Sequence, residues 1–224
     1  MIWRVPCGEW ANETAFLLAG GPSLLGFNAE VLRGAGRVVT VNDSWRLAPW
    51  AAVHYFCDAS WYHLQLTQNR HSTDGHTDFH THRFEGFWVS GSYAAFDVHP
   101  YVRALRLGGR TGLSDDPAVL RHGSNSGYQA INLAYLYGAL RIILLGYDMH
   151  VVANRTHWHN ESRPDDFAGI MRNTMLPTFE TLVEPLARAG VEVVNATPGS
   201  AISCWPCAAL ADVLSVDRNA VCRA

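Results

Sequence analysis

The chain contains no lysine: all 17 basic side chains among its 224 residues are arginine. That absence excludes Schiff-base chemistry on a lysine and the phosphate-binding lysine of a Walker loop. A phosphate clamp has to be built from arginine, backbone amides, hydroxyls or a metal ion. Cysteine is scarce, with Cys7, Cys57, Cys204, Cys207 and Cys222 only. An odd number of thiols and a start lacking the apolar core of a leader peptide predict reduced cysteines and a cytoplasmic location. Cys204-Trp205-Pro206-Cys207 has Cys-x-x-Cys spacing, but only Cys222 follows it and no second ligand pair for zinc exists, so the spacing reads as coincidence. Apolar runs are far shorter than the ~20 residues a membrane helix needs, so no span is expected. A net charge of −3 gives no electrostatic basis for general nucleic-acid binding.

What is present fits one domain over residues 1–224, since 48% hydrophobic content supplies a sizeable core. Short apolar runs predict strands at Ala15–Ala19, Arg37–Val41, Val53–Cys57, Phe87–Ser90, Arg141–Leu145 and Val191–Asn195. Between them lie helical patterns. Phe167, Ile170, Met171, Met175, Phe179, Leu182 and Leu186 recur at helical spacing within Asp166–Ala189, with Pro177 placed to kink it or split it in two and Gly190 to stop it. A second helix is expected over about Ser126–Tyr137, capped by Ser124 or Asn125. Strands interleaved with helices predict an α/β, Rossmann-like, doubly wound, mostly parallel sheet with helices on both faces. The irregular stretch at about 63–112 reads as a lid-like insertion. It carries His71, His76, His80 and His82 among acids and small polar residues. Imidazole and carboxylate are metal ligands, yet clustering without partner ligands elsewhere favours a solvated loop, and no dedicated metal site is expected.

In open α/β sheets the ligand crevice lies beyond the carboxyl ends of the strands. Two such ends stand out. Phe16-Leu17-Leu18-Ala19 runs into Gly20-Gly21-Pro22-Ser23, a turn that lets backbone amides approach a phosphate, with a following helix expected to add its positive N-terminus. Gly21→Val is therefore expected to abolish nucleotide binding while leaving the fold intact. Arg141–Leu145 runs into Gly146-Tyr147-Asp148, followed by Thr156-His157-Trp158-His159. In an extended segment Trp158 points away from the face shared by His157 and His159. Asn42, Asp58 and Ser124-Asn125-Ser126-Gly127 follow or precede other elements at the same end and add hydroxyl, amide and carboxylate groups suited to a ribose, a base edge and phosphates.

These motifs, in the order Gly21-Pro22-Ser23-Leu24, Asn42, Ser126-Gly127 and Gly146-Tyr147-Asp148, resemble bacterial CMP-sialic acid-dependent sialyltransferases. They are similar also to the archaeal hydroxymethyldihydropterin pyrophosphokinase family and its small phage and prophage relatives, across about Phe16–Leu214. Gly20 stands where the sialyltransferases have asparagine, and His150 where they have tyrosine. The resemblance implies a nucleotide-dependent transferase, in its leading form a glycosyltransferase using a CMP-sugar-like donor. A pyrophosphokinase acting from ATP on a hydroxymethyl acceptor, or a silent nucleotide-binding phage protein, are the alternatives. By the same resemblance Gly20, Gly21, Pro22 and Ser23 form the phosphate turn, Asn42, Asp58, Ser124, Asn125, Ser126, Gly127 and Gly146 line the nucleotide, and His157 is the base with His159 as substitute. Asp148 orients a histidine or holds Mg2+ on the nucleotide, and Arg155 or Arg163 assists at the phosphate. The acceptor is unspecified, and a homo-oligomer remains open.

Overall fold

Apolar runs broken by glycine and polar turns form nine strands among the residues described by the computed structural model, which are 2–58, 60–61, 86–91, 102–159 and 166–221. In chain order these are β1 (Thr14–Leu18), β2 (Arg37–Val41), β3 (Val53–Phe56), β4 (Phe87–Ser90), β5 (Val102–Ala104), β6 (Arg106–Leu107), β7 (Val119–Leu120), β8 (Arg141–Leu145) and β9 (Glu192–Asn195). Seven of them make one sheet in the order β5-β4-β3-β2-β1-β8-β9, while β6 and β7 pair separately. All the pairings are parallel. The fold is α/β and Rossmann-like, as the alternation of strand and helix patterns predicts.

Chain order defines where a ligand goes. From β1 the sheet grows outward through β2 to β5, and the chain then returns to place β8 on β1's other side. A crevice opens at such a reversal, beyond the carboxyl ends of the central strands.

Side-chain alternation along β1 explains the two cores. Ala15 and Leu17 face one cluster, completed by α1 (Ser126–Tyr137) and by α3 (Leu176–Arg188), with α2 (Asp166–Ile170) preceding it. Phe16 and Leu18 face another, covered by short turns bearing Leu24, Ala29 and Leu32 and by Val213 of α4 (Leu210–Val221). α1 is capped at the start by Asn125, whose Oδ1 accepts the Tyr128 N–H at 2.8 Å. It ends at Gly138 in the left-handed region, φ 96.

The helical pattern over Asp166–Ala189 is split in two, one of the outcomes expected of Pro177: α2 and α3 are joined by a π-helical turn, Met171–Met175. Pro177 has no N–H and its ring opposes the carbonyl four residues back, so one extra residue is absorbed and the Leu176 N–H bonds Met171 O. Besides the expected β4, the stretch at 63–112 contains β5 and β6, and β5 forms one edge of the sheet. Two- and three-residue strands carry too few alternating positions to be seen in sequence. The remainder of that stretch, with His71, His76, His80 and His82, lies outside the described residues.

Candidate functional site

The ends of β1, β2, β3 and β8 and the start of α1 enclose a cavity of about 220 Å³. Gly20 and Gly21 follow β1, Asn42 follows β2, and Asp58 follows β3 on its wall. Ser124, Asn125, Ser126 and Gly127 supply the α1 side, and Gly146 the β8 side. His157 enters from the segment beyond β8, and Phe167, Met171 and Met175 close the cavity with an apolar wall built on α2 and the π turn. Residues read from four separate sequence motifs thus converge. Pro22, Ser23, Asp148 and His159 do not line this cavity.

The reason is a lock between the two strand ends. Asp148 is 1% exposed, and its carboxylate accepts the Ser23 N–H at 3.0 Å and the Ser23 hydroxyl at 2.7 Å. Burial pushes this carboxyl above its ordinary value, although the two Ser23 donors pull the other way. Gly21 is required because a Cβ there meets Asp148 Oδ2 and lies 2.5 Å from the Gly146 carbonyl. The helix expected to follow is instead a three-residue 3₁₀ turn, Pro22–Leu24, too short to present a helix N-terminus. Gly20 and Gly21 reach the cavity, whereas the Ser23 donors are directed at the Asp148 carboxylate, which joins the β1 and β8 ends. A side chain at Gly21 therefore disturbs the fold.

Three of the six non-glycine residues with positive φ among the described residues, Asn42, Ser124 and Met149, line the cavity with φ of 51, 59 and 56, a conformation that costs a non-glycine residue roughly 1–3 kcal/mol. Such strain persists where surrounding structure over-determines it, and it clusters at functional sites. Asn42 Oδ1 is buried and has no hydrogen-bond partner among the described residues.

His157 is placed by its neighbours. Its Nδ1 lies 3.0 Å from Thr156 Oγ1, and its ring stands 5.9 Å from Phe167 and 5.5 Å from His159 between centroids. A Cβ at Gly20 falls 2.9 Å from His157 Cδ2, so glycine here makes room for the imidazole. The Trp158 N–H bonds Gly20 O at 3.1 Å, and its indole packs into the core on the sheet's other face. The chain therefore alternates, with His157 turned to the cavity and Trp158 away from it. His159 Nε2 lies 3.4 Å from Asp43 Oδ2.

His122 opens the His-Gly-Ser-Asn-Ser-Gly segment ahead of α1, and its Nδ1 accepts the Ser124 N–H at 3.0 Å, which puts the neutral ring's proton on Nε2. Gln129, one turn into α1, is 1% exposed; it donates to His122 O at 2.6 Å and accepts from the Tyr55 hydroxyl at 2.8 Å. No local signal in the sequence marks Gln129. Among the described residues no arginine lines the cavity. Arg155 belongs to the hairpin closed by Val152, and Arg163 lies outside the described residues.

Cys57 also lines the cavity, and burial pushes its thiol up to about 11. Burial disfavours the thiolate, so only ~10⁻³ of Cys57 is ionised at pH 8, rising tenfold per pH unit above it. Iodoacetamide at pH 8 is expected to alkylate the exposed Cys7 and Cys207 well before Cys57, with Cys57 catching up only near pH 11, as peptide mass spectrometry reads directly. Rapid labelling of Cys57 at pH 8 contradicts this and makes a thiolate nucleophile tenable.

A second cavity of about 560 Å³ lies on the sheet's other side, lined by Ser23, Leu24, Phe27, Leu145 and Leu210 among others. It is larger, but its polar groups are spent: Thr197 Oγ1 bonds Leu144 O and the Tyr147 N–H, and Ser200 Oγ bonds Tyr147 O. The smaller cavity has the unspent polar groups and the strain, and it is the candidate site.

No family model matches the chain, and neither a curated protein nor a solved structure is significantly similar to it. Fold and site together define an α/β, Rossmann-like protein with a polar cavity at the strand ends of its switch point. No helix among the described residues is long and apolar enough to cross a membrane.

Proposed function

We propose that the chain is a nucleotide-dependent transferase, a glycosyltransferase taking a CMP-sugar-like donor, with His157 as general base. One observation carries this: Asn42, Ser126, Gly127 and His157 reach a single cavity at the sheet's switch point. Nucleotides bind α/β sheets at that place.

The parts divide the work. Asn42 Oδ1, buried and in need of a donor, suits a ribose hydroxyl. The first N–H groups of a helix have no intrahelical acceptor, and Asn125 takes only that of Tyr128, so the Ser126 and Gly127 amides are the anion sink that the Gly21–Ser23 turn is not. His122 adds its Nε2–H. In the tautomer with Nδ1–H directed at Thr156, His157 Nε2 takes the acceptor hydroxyl's proton as that oxygen attacks the sugar's anomeric carbon. The carbon–oxygen bond to phosphate then breaks, and the nucleoside monophosphate leaves with its charge at the α1 N-terminus.

The absence of arginine from the described lining favours this form over pyrophosphoryl transfer. A triphosphate brings far more charge than one helix terminus neutralises, about half an elementary charge, whereas a monophosphate leaving group fits that sink.

Thermal unfolding with CMP, CDP, UDP, GDP, AMP and ATP, with and without magnesium, tests the proposal. At a hundredfold excess over Kd a ligand stabilises by ~2.7 kcal/mol, and cytidine nucleotides are expected to raise the midpoint most. A rise with ATP and magnesium alone favours the pyrophosphokinase reading. No rise with any nucleotide contradicts both.

A further inference from the structure

The turn after β2 contributes more than Asn42. Asp43 is 7% exposed on a 3₁₀ turn, Asn42–Arg46, and its carboxylate collects several groups from distant parts of the chain. Its Oδ2 accepts the Trp61 Nε1–H at 2.8 Å and lies 3.4 Å from His159 Nε2; its Oδ1 lies 3.4 Å from Arg46. His54 of β3, fully buried, feels the same carboxylate, but burial holds its imidazole near 3 and so neutral. His159 in turn packs on His157, centroids 5.5 Å apart and planes tilted by 56°. Phe167 flanks His157 at 5.9 Å.

We infer that Asp43 is a positioning residue for His157: it holds His159 by Nε2, and the held ring, with Phe167, fixes the plane of the His157 imidazole. This rests on His157 being the base, and it assigns His159 to support rather than to substitution. A lone imidazole in a cavity rotates about two bonds. Packed between Phe167 and a tethered His159, with Nδ1 on Thr156, it is confined to one orientation, which a general base needs to meet a hydroxyl at hydrogen-bond distance. A carboxylate facing Nε2 fixes the His159 tautomer in the way that outer partners fix metal-bound or triad histidines. Arg46 faces Asp43's other oxygen.

The test needs neither donor nor acceptor. Ring-nitrogen spectra of protein labelled with ¹⁵N-histidine are recorded against pH for the wild type and Asp43→Asn. In the wild type, neutral His159 is expected as the Nε2–H tautomer. In Asp43→Asn the His159 Nε2 signal is expected to shift, because its charged acceptor is gone. His157 ring signals move with it, while those of His122, on another element, stay. An Nδ1–H tautomer for His159 in the wild type overturns the inference without any variant, and so do unmoved His159 ring signals in folded Asp43→Asn. Failure of the transferase reading looks different: His159 and Asp43 behave as described while no nucleotide stabilises the protein.

Discussion

Replacing His157 by alanine is expected to lower turnover by ~10²–10⁴-fold, the usual contribution of a positioned general base, with nucleotide affinity nearly unchanged. The two effects separate because different elements carry them. On the proposed reading affinity rests on Asn42 after β2 and on Ser126 and Gly127 at the start of α1, whereas His157 comes from the segment beyond β8. His159→Ala is expected to cost less, since His159 does not line the cavity and would act through its neighbour. Single-turnover rates with a cytidine-nucleotide sugar, once an acceptor is found, check both. If His159→Ala is the more damaging change, the two roles are reversed. Near-normal rates in both variants remove the histidine mechanism.

Gly21→Val is expected to damage the fold before it damages chemistry. Any Cβ at Gly21 meets the Asp148 carboxylate and the Gly146 carbonyl, and one of them has to move. The β1 and β8 strands pair in register up to Leu18 and Leu145, with Gly21 N–H on Gly146 O closing the next step, so the backbone has little freedom to yield. Displacing Asp148 strips a buried carboxylate of both Ser23 donors. A hydrogen bond to a charged group contributes about 1.5–3 kcal/mol, so losing both costs several kcal/mol. For a domain of this size that lowers the midpoint of thermal unfolding on the order of 10 °C. Calorimetry reads it, and a Gly21→Val protein with an unchanged midpoint shows that the lock contributes little.

The parts of this fold legible in sequence are those whose signal is local. β2, β4 and β8 begin and end where their apolar runs do, and α1 starts at its Asn125 cap. β5, β6 and β7 are too short to carry a period. The π turn needs one residue more than the helical pattern supplies, and Pro177 marked the place without telling what would form there. For the site, glycines and small polar residues at strand ends were visible as turns, but their partners were not. The Ser23–Asp148 contact spans 125 residues, and an exposed anion and a buried carboxylate ask the same of a Gly-Gly-Pro-Ser turn: close backbone approach and donors. Asp43, beside Asn42, has partners that no local signal announces, since His159 and Trp61 reach it from distant segments.

Whether the small cavity at the switch point is the nucleotide site is the claim on which the rest depends. Amide ¹H–¹⁵N spectra of the protein titrated with CMP test it most directly. The account predicts saturable shifts centred on Asn42, Ser126 and Gly127, with His157 included and Leu24 and Thr197–Ser200 left in place. Shifts confined to Leu24 and Thr197–Ser200 around the larger cavity, or none at millimolar CMP, contradict it.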